Sequence, residues 1–234
     1  MVAISSSKMP AAAPIRAVTA PVLRDELAAF VAHDLRTPLA TLAMNLDFLL
    51  EELHVGERVT PDARSALEDC RGANVQAVRM VCDMTDALVL ASGDRKAVLA
   101  EVDVGAVVAA VVEVVAGEAK AWHVAITSRV EPTLAQADVE LIARVVERVV
   151  ERALWLARCG GRVDIVLEGD ALAVSMSPAP SRGVSAGRSL GTYLAEVAMR
   201  AQGGALTIAV DDATRTLTFR ITLPSDAPLS GPVP

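Results

Sequence analysis

Two apolar seams with steps of four and three residues constrain this chain most. The first runs Ala28, Ala32, Leu35, Leu39, Leu42, Leu46, Leu49 and Leu53. The second runs Ala63, Leu67, Cys70, Asn74, Ala77, Val81, Met84 and Leu88. That alternation is the seam of a coiled coil or helical bundle. A first helix is expected to begin near Pro21. The stretch His54 to Thr60 reads as a loop, with Gly56 as a helix stop. Thr60-Pro61 then supplies an N-cap and a proline at the first helical position. The second helix should end near Ser92-Gly93-Asp94. A hairpin with one stripe on each helix cannot bury both stripes alone. Two hairpins from two chains bury them in a two-fold four-helix bundle. The alternative is a hairpin packed on the chain's own C-terminal half.

Beyond Lys96 the pattern becomes mixed. Val98 to Val102 reads as a strand, Gly105 to Ala121 as a helix and Val124 to Val130 as a strand. Asp138 to Arg158 is a strong helix closed by Cys159-Gly160-Gly161. Arg162 to Leu167 and Ala171 to Met176 alternate as strands around Glu168-Gly169-Asp170. A Pro/Ser/Gly loop, Ser177 to Gly187, precedes a helix over Ser189 to Gln202. Leu206 to Val210 and Thr216 to Leu223 close the chain as a hairpin. The expected class is α+β: an N-terminal helical hairpin forming a dimeric four-helix bundle, then a sandwich with a mixed sheet and helices on one face. The expected division is a disordered 1–19, the hairpin over 20–94, the α/β domain over 95–224 and a disordered tail over 225–234.

Composition narrows the partners. Net charge is −7, which argues against general nucleic-acid binding. The most apolar run, Val104 to Ala116, is broken by Glu113 and too short to span a membrane. The N-terminus has no continuous apolar region of signal-peptide type, so a cytoplasmic location is expected. Cys70, Cys82 and Cys159 show no metal spacing and read as buried thiols in a reducing compartment.

Within the first helix, the stretch His33-Asp34-Leu35-Arg36-Thr37-Pro38-Leu39 needs its own account. Arg36 and Thr37 fall one turn on from His33, on roughly the same face. Pro38 has no N–H, so the Asp34 carbonyl loses its helical partner and the helix should bend there. An imidazole with a carboxylate, a guanidinium and a hydroxyl close by is a poor recipe for a core histidine and a reasonable one for a reactive centre. The bland alternative is a solvent-facing histidine. His54 and His123 read as structural or exposed.

This stretch, on the first helix of a hairpin and followed by an α+β domain, resembles the sensor histidine kinases. The ending Gly203-Gly204-Ala205-Leu206-Thr207 and Phe219-Arg220-Ile221-Thr222-Leu223-Pro224 is similar as well. The resemblance implies a dimerisation and phosphotransfer bundle followed by a Bergerat-type ATP-binding domain. The nucleotide motifs depart from it. Family members carry asparagine where this chain has Arg148 and Arg152, the second of them helping to hold Mg²⁺. Arginine carries only donors and a fixed positive charge. Met176 replaces the aspartate that reads adenine, and Pro178 and Pro180 stand at glycine positions. Ser189-Leu190-Gly191-Thr192 keeps one glycine of the phosphate loop, and the span from Pro178 to Gly191 is too short for the usual lid. Arg148 and Arg152, interleaved with Glu147 and Glu151, are expected on a solvated charged face. A weaker idea is that they help exclude nucleotide.

The resemblance thus narrows to histidine phosphotransfer proteins with a degenerate ATP-binding-like domain. It implies a phosphoryl relay through His33 between response-regulator receiver domains. No intrinsic cofactor is expected; Mg²⁺ would arrive with the receiver. Asp34 would orient the imidazole and Arg36 would lie near the phosphoryl oxygens. Thr37 occupies the place that in the family positions a water for dephosphorylating the partner, although a hydroxyl bonding back to the helix fits equally. A receiver would dock near Leu39, Ala40, Ala43 and Met44, residues that suit bundle packing as well. Two other readings remain: an active kinase with a divergent nucleotide site, and a non-catalytic dimeric adaptor.

Overall fold

The computed structural model describes residues 34–52, 59–181 and 187–224. The expected helix start near Pro21, the seam residues Ala28, Ala32 and Leu53, His33, His54 and Gly56, and both terminal segments lie outside the described residues.

Helix α1 spans Arg36–Glu52 and α2 spans Pro61–Ser92. Asp34 is helical and Leu35 lies in a turn, so the helical run is interrupted one turn before Pro38. The α-helical ladder is in place again where the Leu39 amide reaches the Leu35 carbonyl at 3.2 Å. This is where the missing proline N–H puts the break. Thr60 caps α2 as expected, its hydroxyl accepting from the Ala63 amide at 3.1 Å. Gly93 ends the helix in the left-handed region at φ 78°.

The α2 seam is only partly as expected. Ala63, Cys70 and Ala77 are buried, but Leu67, Asn74, Val81 and Leu88 are exposed. Ala66, Ala73, Asp83, Ala87 and Leu90 are buried instead. The reason is that α2 changes neighbour along its length. Its first half packs on α1, where Leu49, Ala63, Ala66 and Cys70 form a small core with Leu42 and Phe48. Its second half packs on the α+β domain, whose core takes in Ala87 and Leu90 with Met80 and Met84 at the margin. The cysteine expectation fails in two of three positions: Cys70 is buried, whereas Cys82 and Cys159 are exposed, and all three are free thiols.

The second unit comprises β1 (Ala100–Asp103), α3 (Val104–Ala121), β2 (Ala125–Val130), β3 (Leu134–Ala137), α4 (Val139–Ala157), β4 (Arg162–Glu168), β5 (Ala171–Ser177), α5 (Leu190–Ala201), β6 (Ala205–Asp211) and β7 (Thr216–Thr222). The order β2-β4-β5-β7-β6 makes a mixed five-stranded sheet in which only β2 and β4 run parallel. Strand β3 is absent from the sequence-based expectation; it pairs antiparallel with β1 in a separate two-stranded sheet. Val163, Ile165 and Leu167 on β4, Leu172, Val174 and Met176 on β5, and Leu217, Phe219 and Ile221 on β7 alternate onto one buried face. Against it lies the α4 stripe Leu141, Ile142, Val145, Val146, Val149, Val150, Ala153 and Leu154. Each large side chain of that stripe contributes about 1.5–3 kcal/mol by leaving water.

A buried polar junction fixes α4 against α5. Asp138 caps α4, its Oδ1 accepting from the Glu140 and Leu141 amides at 3.1 and 3.2 Å. Its Oδ2 accepts from the Val98 amide at 3.0 Å. The Asp138 amide donates to Gln202 Oε1 at 2.8 Å, and Gln202 Nε2 donates to the Ala198 carbonyl at 3.1 Å.

Candidate phosphotransfer site

Asp34, next to His33 in the sequence, is held by the second domain. Asp34 lies where the chain enters α1, and its Oδ2 accepts from the Leu190 amide at 3.0 Å. Leu190 is the first residue of α5. Helix N-termini favour negative charge because their amides lack intrahelical partners. The turn is built for this. Ser189 caps α5, its Oγ accepting from the Thr192 amide at 3.2 Å while Thr192 Oγ1 accepts from the Ser189 amide at 2.8 Å. The pairing joins residues 156 positions apart, and the sequence alone gives no sign of it.

Arg36 and Thr37 are exposed in the first turn of α1, and Pro38 is buried. The four proposed docking residues, Leu39, Ala40, Ala43 and Met44, are all exposed; Leu39 is 53 % and Met44 68 % accessible. His123 is exposed, with φ at 56° just after α3.

The two arginines of α4 do not form the solvated face expected for them. Arg148 is largely buried, and its fork grips the buried Asp83 on α2, Nε to Oδ2 at 2.8 Å and Nη2 to Oδ1 at 3.1 Å. The side chains are 11 % and 5 % accessible. Glu151 adds a third bond at 3.0 Å to Nη1. Burial pulls the Arg148 guanidinium downward, but the hydrogen bond and charge of Asp83, with Glu151 and Glu147, outweigh it and raise it above its ordinary value. The expectation failed because charge spacing along α4 cannot see a carboxylate 65 residues away. Asp83 itself was missed because it lies off the counted seam. Its signal was present: Asp83 and Asp86 stand three apart on α2, opposite Arg144 and Arg148 four apart on α4.

Arg152 Nη2 donates to the Arg188 carbonyl at 3.0 Å. Burial lowers it, with the Asp34 charge acting upward and Arg158 downward. Trp155 is covered by two guanidiniums, Arg152 at 4.8 Å and Arg158 at 4.0 Å from its ring centre. Gly191 lies against Arg148: a Cβ there would come 3.1 Å from Arg148 Cδ. Met176 is 1 % accessible and sits in the sheet core between Val163 and Leu217.

Residues 23–87 match the family described as the His Kinase A (phospho-acceptor) domain. Hybrid signal transduction histidine kinase D of Dictyostelium discoideum is 29% identical over 149 residues, 62% of this chain and 9% of that protein. The chain therefore spans about a tenth of the length of that relative. Among solved structures, the Acinetobacter baumannii histidine kinase AdeS superposes with a TM-score of 0.61 at 15% identity, covering 83% of this chain and 98% of that one. Full-length ShkA in complex with AMPPNP superposes at 0.53 and 20% identity, covering 88% and 47%. The fold is α+β, a helical hairpin joined to a sheet-and-helix domain, the architecture of the two histidine kinase structures on which it superposes. Among the described residues no helix is long and apolar enough to cross a membrane.

Proposed function

We propose that this chain is a cytoplasmic histidine phosphotransferase, a pseudo-kinase that relays phosphoryl groups between response-regulator receiver domains through His33 without using ATP. The observation that carries this reading is Arg148. At a position where the resemblance places an asparagine of the nucleotide site, this chain has a largely buried guanidinium committed to Asp83. Arg152 at the second such position offers donors only and cannot ligate Mg²⁺. Met176, in place of the adenine-reading aspartate, is a core side chain. These residues do not fit a nucleotide and its metal, so no step is routed through either.

In the relay, a neutral imidazole nitrogen of His33 attacks the phosphorus of a receiver's aspartyl phosphate. The N–P bond forms, the bond from phosphorus to the aspartyl oxygen breaks, and the aspartate leaves as a carboxylate. The reverse step passes the group to a second receiver. Mg²⁺ belongs to the receiver in this scheme. Asp34 orients the ring, and its hydrogen bond from Leu190 lets the second domain fix that carboxylate. Arg36 stabilises the phosphoryl oxygens, and Leu39, Ala40, Ala43 and Met44 receive the partner's helix. Leu46 on α1 is exposed in the single chain, as are Leu67, Asn74, Val81 and Leu88, which recur at sevens on α2. Such a stripe supports a homodimer through a four-helix bundle.

The test is direct. Purified protein is incubated with a labelled phospho-receiver and, separately, with labelled ATP and Mg²⁺. Label should reach His33 from the receiver and not from ATP. Label from ATP would restore the kinase reading, and label from no receiver would favour the adaptor. Thr37→Ala is expected to slow dephosphorylation of the receiver about a hundredfold while leaving transfer to His33 intact. Unchanged dephosphorylation removes that role from Thr37.

A further inference from the structure

Three ion pairs cross between the hairpin and the second domain in antiparallel register. Arg79, Asp83 and Asp86 stand on α2, and Glu151, Arg148 and Arg144 stand on α4. Arg79 Nη1 meets Glu151 Oε1 at 2.5 Å, Arg148 grips Asp83, and Arg144 pairs with Asp86. The outer pairs are partly open to water, and the middle one is buried. Sliding α2 by one helical turn along α4 would set Arg79 against Arg148, or Asp83 against Glu151. Each slip would leave one opposite pair, Asp83 with Arg144 or Asp86 with Arg148, against one like-charge pair, in place of the three matched pairs observed, so the pattern favours the observed register. Arg148 also lies beside the start of α5, where a Cβ on Gly191 would come 3.1 Å from its Cδ, and the neighbouring Leu190 amide donates to Asp34.

We propose that Asp83 and Arg148 form an orientation latch that holds the second domain on the hairpin in one register and, through Gly191 and Leu190, keeps Asp34 in place beside the acceptor histidine. Both are positioning residues, since neither touches the reacting atoms. The latch itself stands on geometry; its effect on transfer rests on the phosphotransferase reading.

The distance between domains reads the latch without any phosphoryl chemistry. Spin labels are placed at the exposed Cys159 and at an introduced cysteine, Ser65→Cys, on the far half of α2, with Cys82→Ser removing the other exposed thiol. Labelled chains are diluted with unlabelled ones so that pairs within a chain dominate. The otherwise unaltered protein should give one narrow distance. Arg148→Met and Asp83→Asn, each folded by circular dichroism, should lose it and give a broad distribution. Arg129→Ala, which breaks an exposed pair with Glu168 on the far strands, should keep it. The latch is overturned if both folded variants keep the narrow distance. As a second measure in the unaltered chain, the Leu190 amide should exchange slowly with solvent; fast exchange would count equally against the latch. Transfer from a phospho-receiver should fall about ten- to a hundredfold in the Arg148 variant at saturating receiver, through kcat rather than KM. If the parent accepts phosphate from no receiver, the phosphotransferase reading fails while the distance measurement still decides the latch.

Discussion

His33→Ala should take up no phosphoryl group from any receiver, with label on the protein falling to background. A relay sets three demands on its nucleophile. It must attack phosphorus while uncharged, carry the group as a labile bond, and release it to a carboxylate. Imidazole meets these needs near neutral pH because its ordinary pKa lies close to 6.5. The neighbouring groups can orient or stabilise, but none can stand in: Asp34 is held by the Leu190 amide, the Arg36 guanidinium has no lone pair to offer, and Thr37 is a poor nucleophile without a base. His54→Ala and His123→Ala should retain full labelling. The bound label should be lost in acid and kept in alkali, as a phosphorus–nitrogen bond requires. Full labelling of His33→Ala would move the acceptor elsewhere in the chain.

The largest effect on stability is expected at Asp83. Replacing it by alanine leaves the Arg148 guanidinium buried without its two-pronged partner, a loss of about 3–5 kcal/mol for a buried pair broken on one side. Glu151 stays within 3.0 Å of Nη1 and holds the effect to the lower end of that range. Replacing both members together, Asp83→Leu with Arg148→Met, should restore most of the stability, because apolar side chains of similar bulk need no partner. By contrast Arg129→Ala removes an exposed pair with Glu168 and should cost at most about 1 kcal/mol. Urea unfolding of the four proteins measures the series. An Asp83→Ala protein as stable as the parent would mean the pair carries no net weight.

How much of this was legible in the sequence depended on whether a feature was local. Thr60-Pro61, Asp138 and Ser189 announced helix starts, and each is a cap in the structure because capping involves only the next three residues. Alternation in β4, β5 and β7 was readable because one face of the sheet is covered. Strand β3 was not: Leu134–Ala137 is four residues with two alanines and no β-branched side chain, and it exists through its pairing with β1. The α2 seam was misjudged for a related reason. A single stripe assumes a single neighbour, whereas α2 leaves α1 for the second domain midway. In the candidate site, the motif around His33 was plain on the page, and the hold on Asp34 from Leu190 was hidden by 156 intervening positions. The role of Arg148 was hidden in the same way, since its environment is written on another helix.

The contact between Gly191 and Arg148 has a consequence for how such a chain can change over time. The glycine makes room for the arginine, and the arginine satisfies Asp83, so the three positions depend on one another. Placing asparagine at 148 by itself would strand a buried carboxylate. Removing that carboxylate first would strand the guanidinium. Each single substitution at Asp83 or Arg148 thus passes through a less stable protein. The three residues therefore act as a ratchet: substitutions around them are accepted more easily than a single change at any one of them.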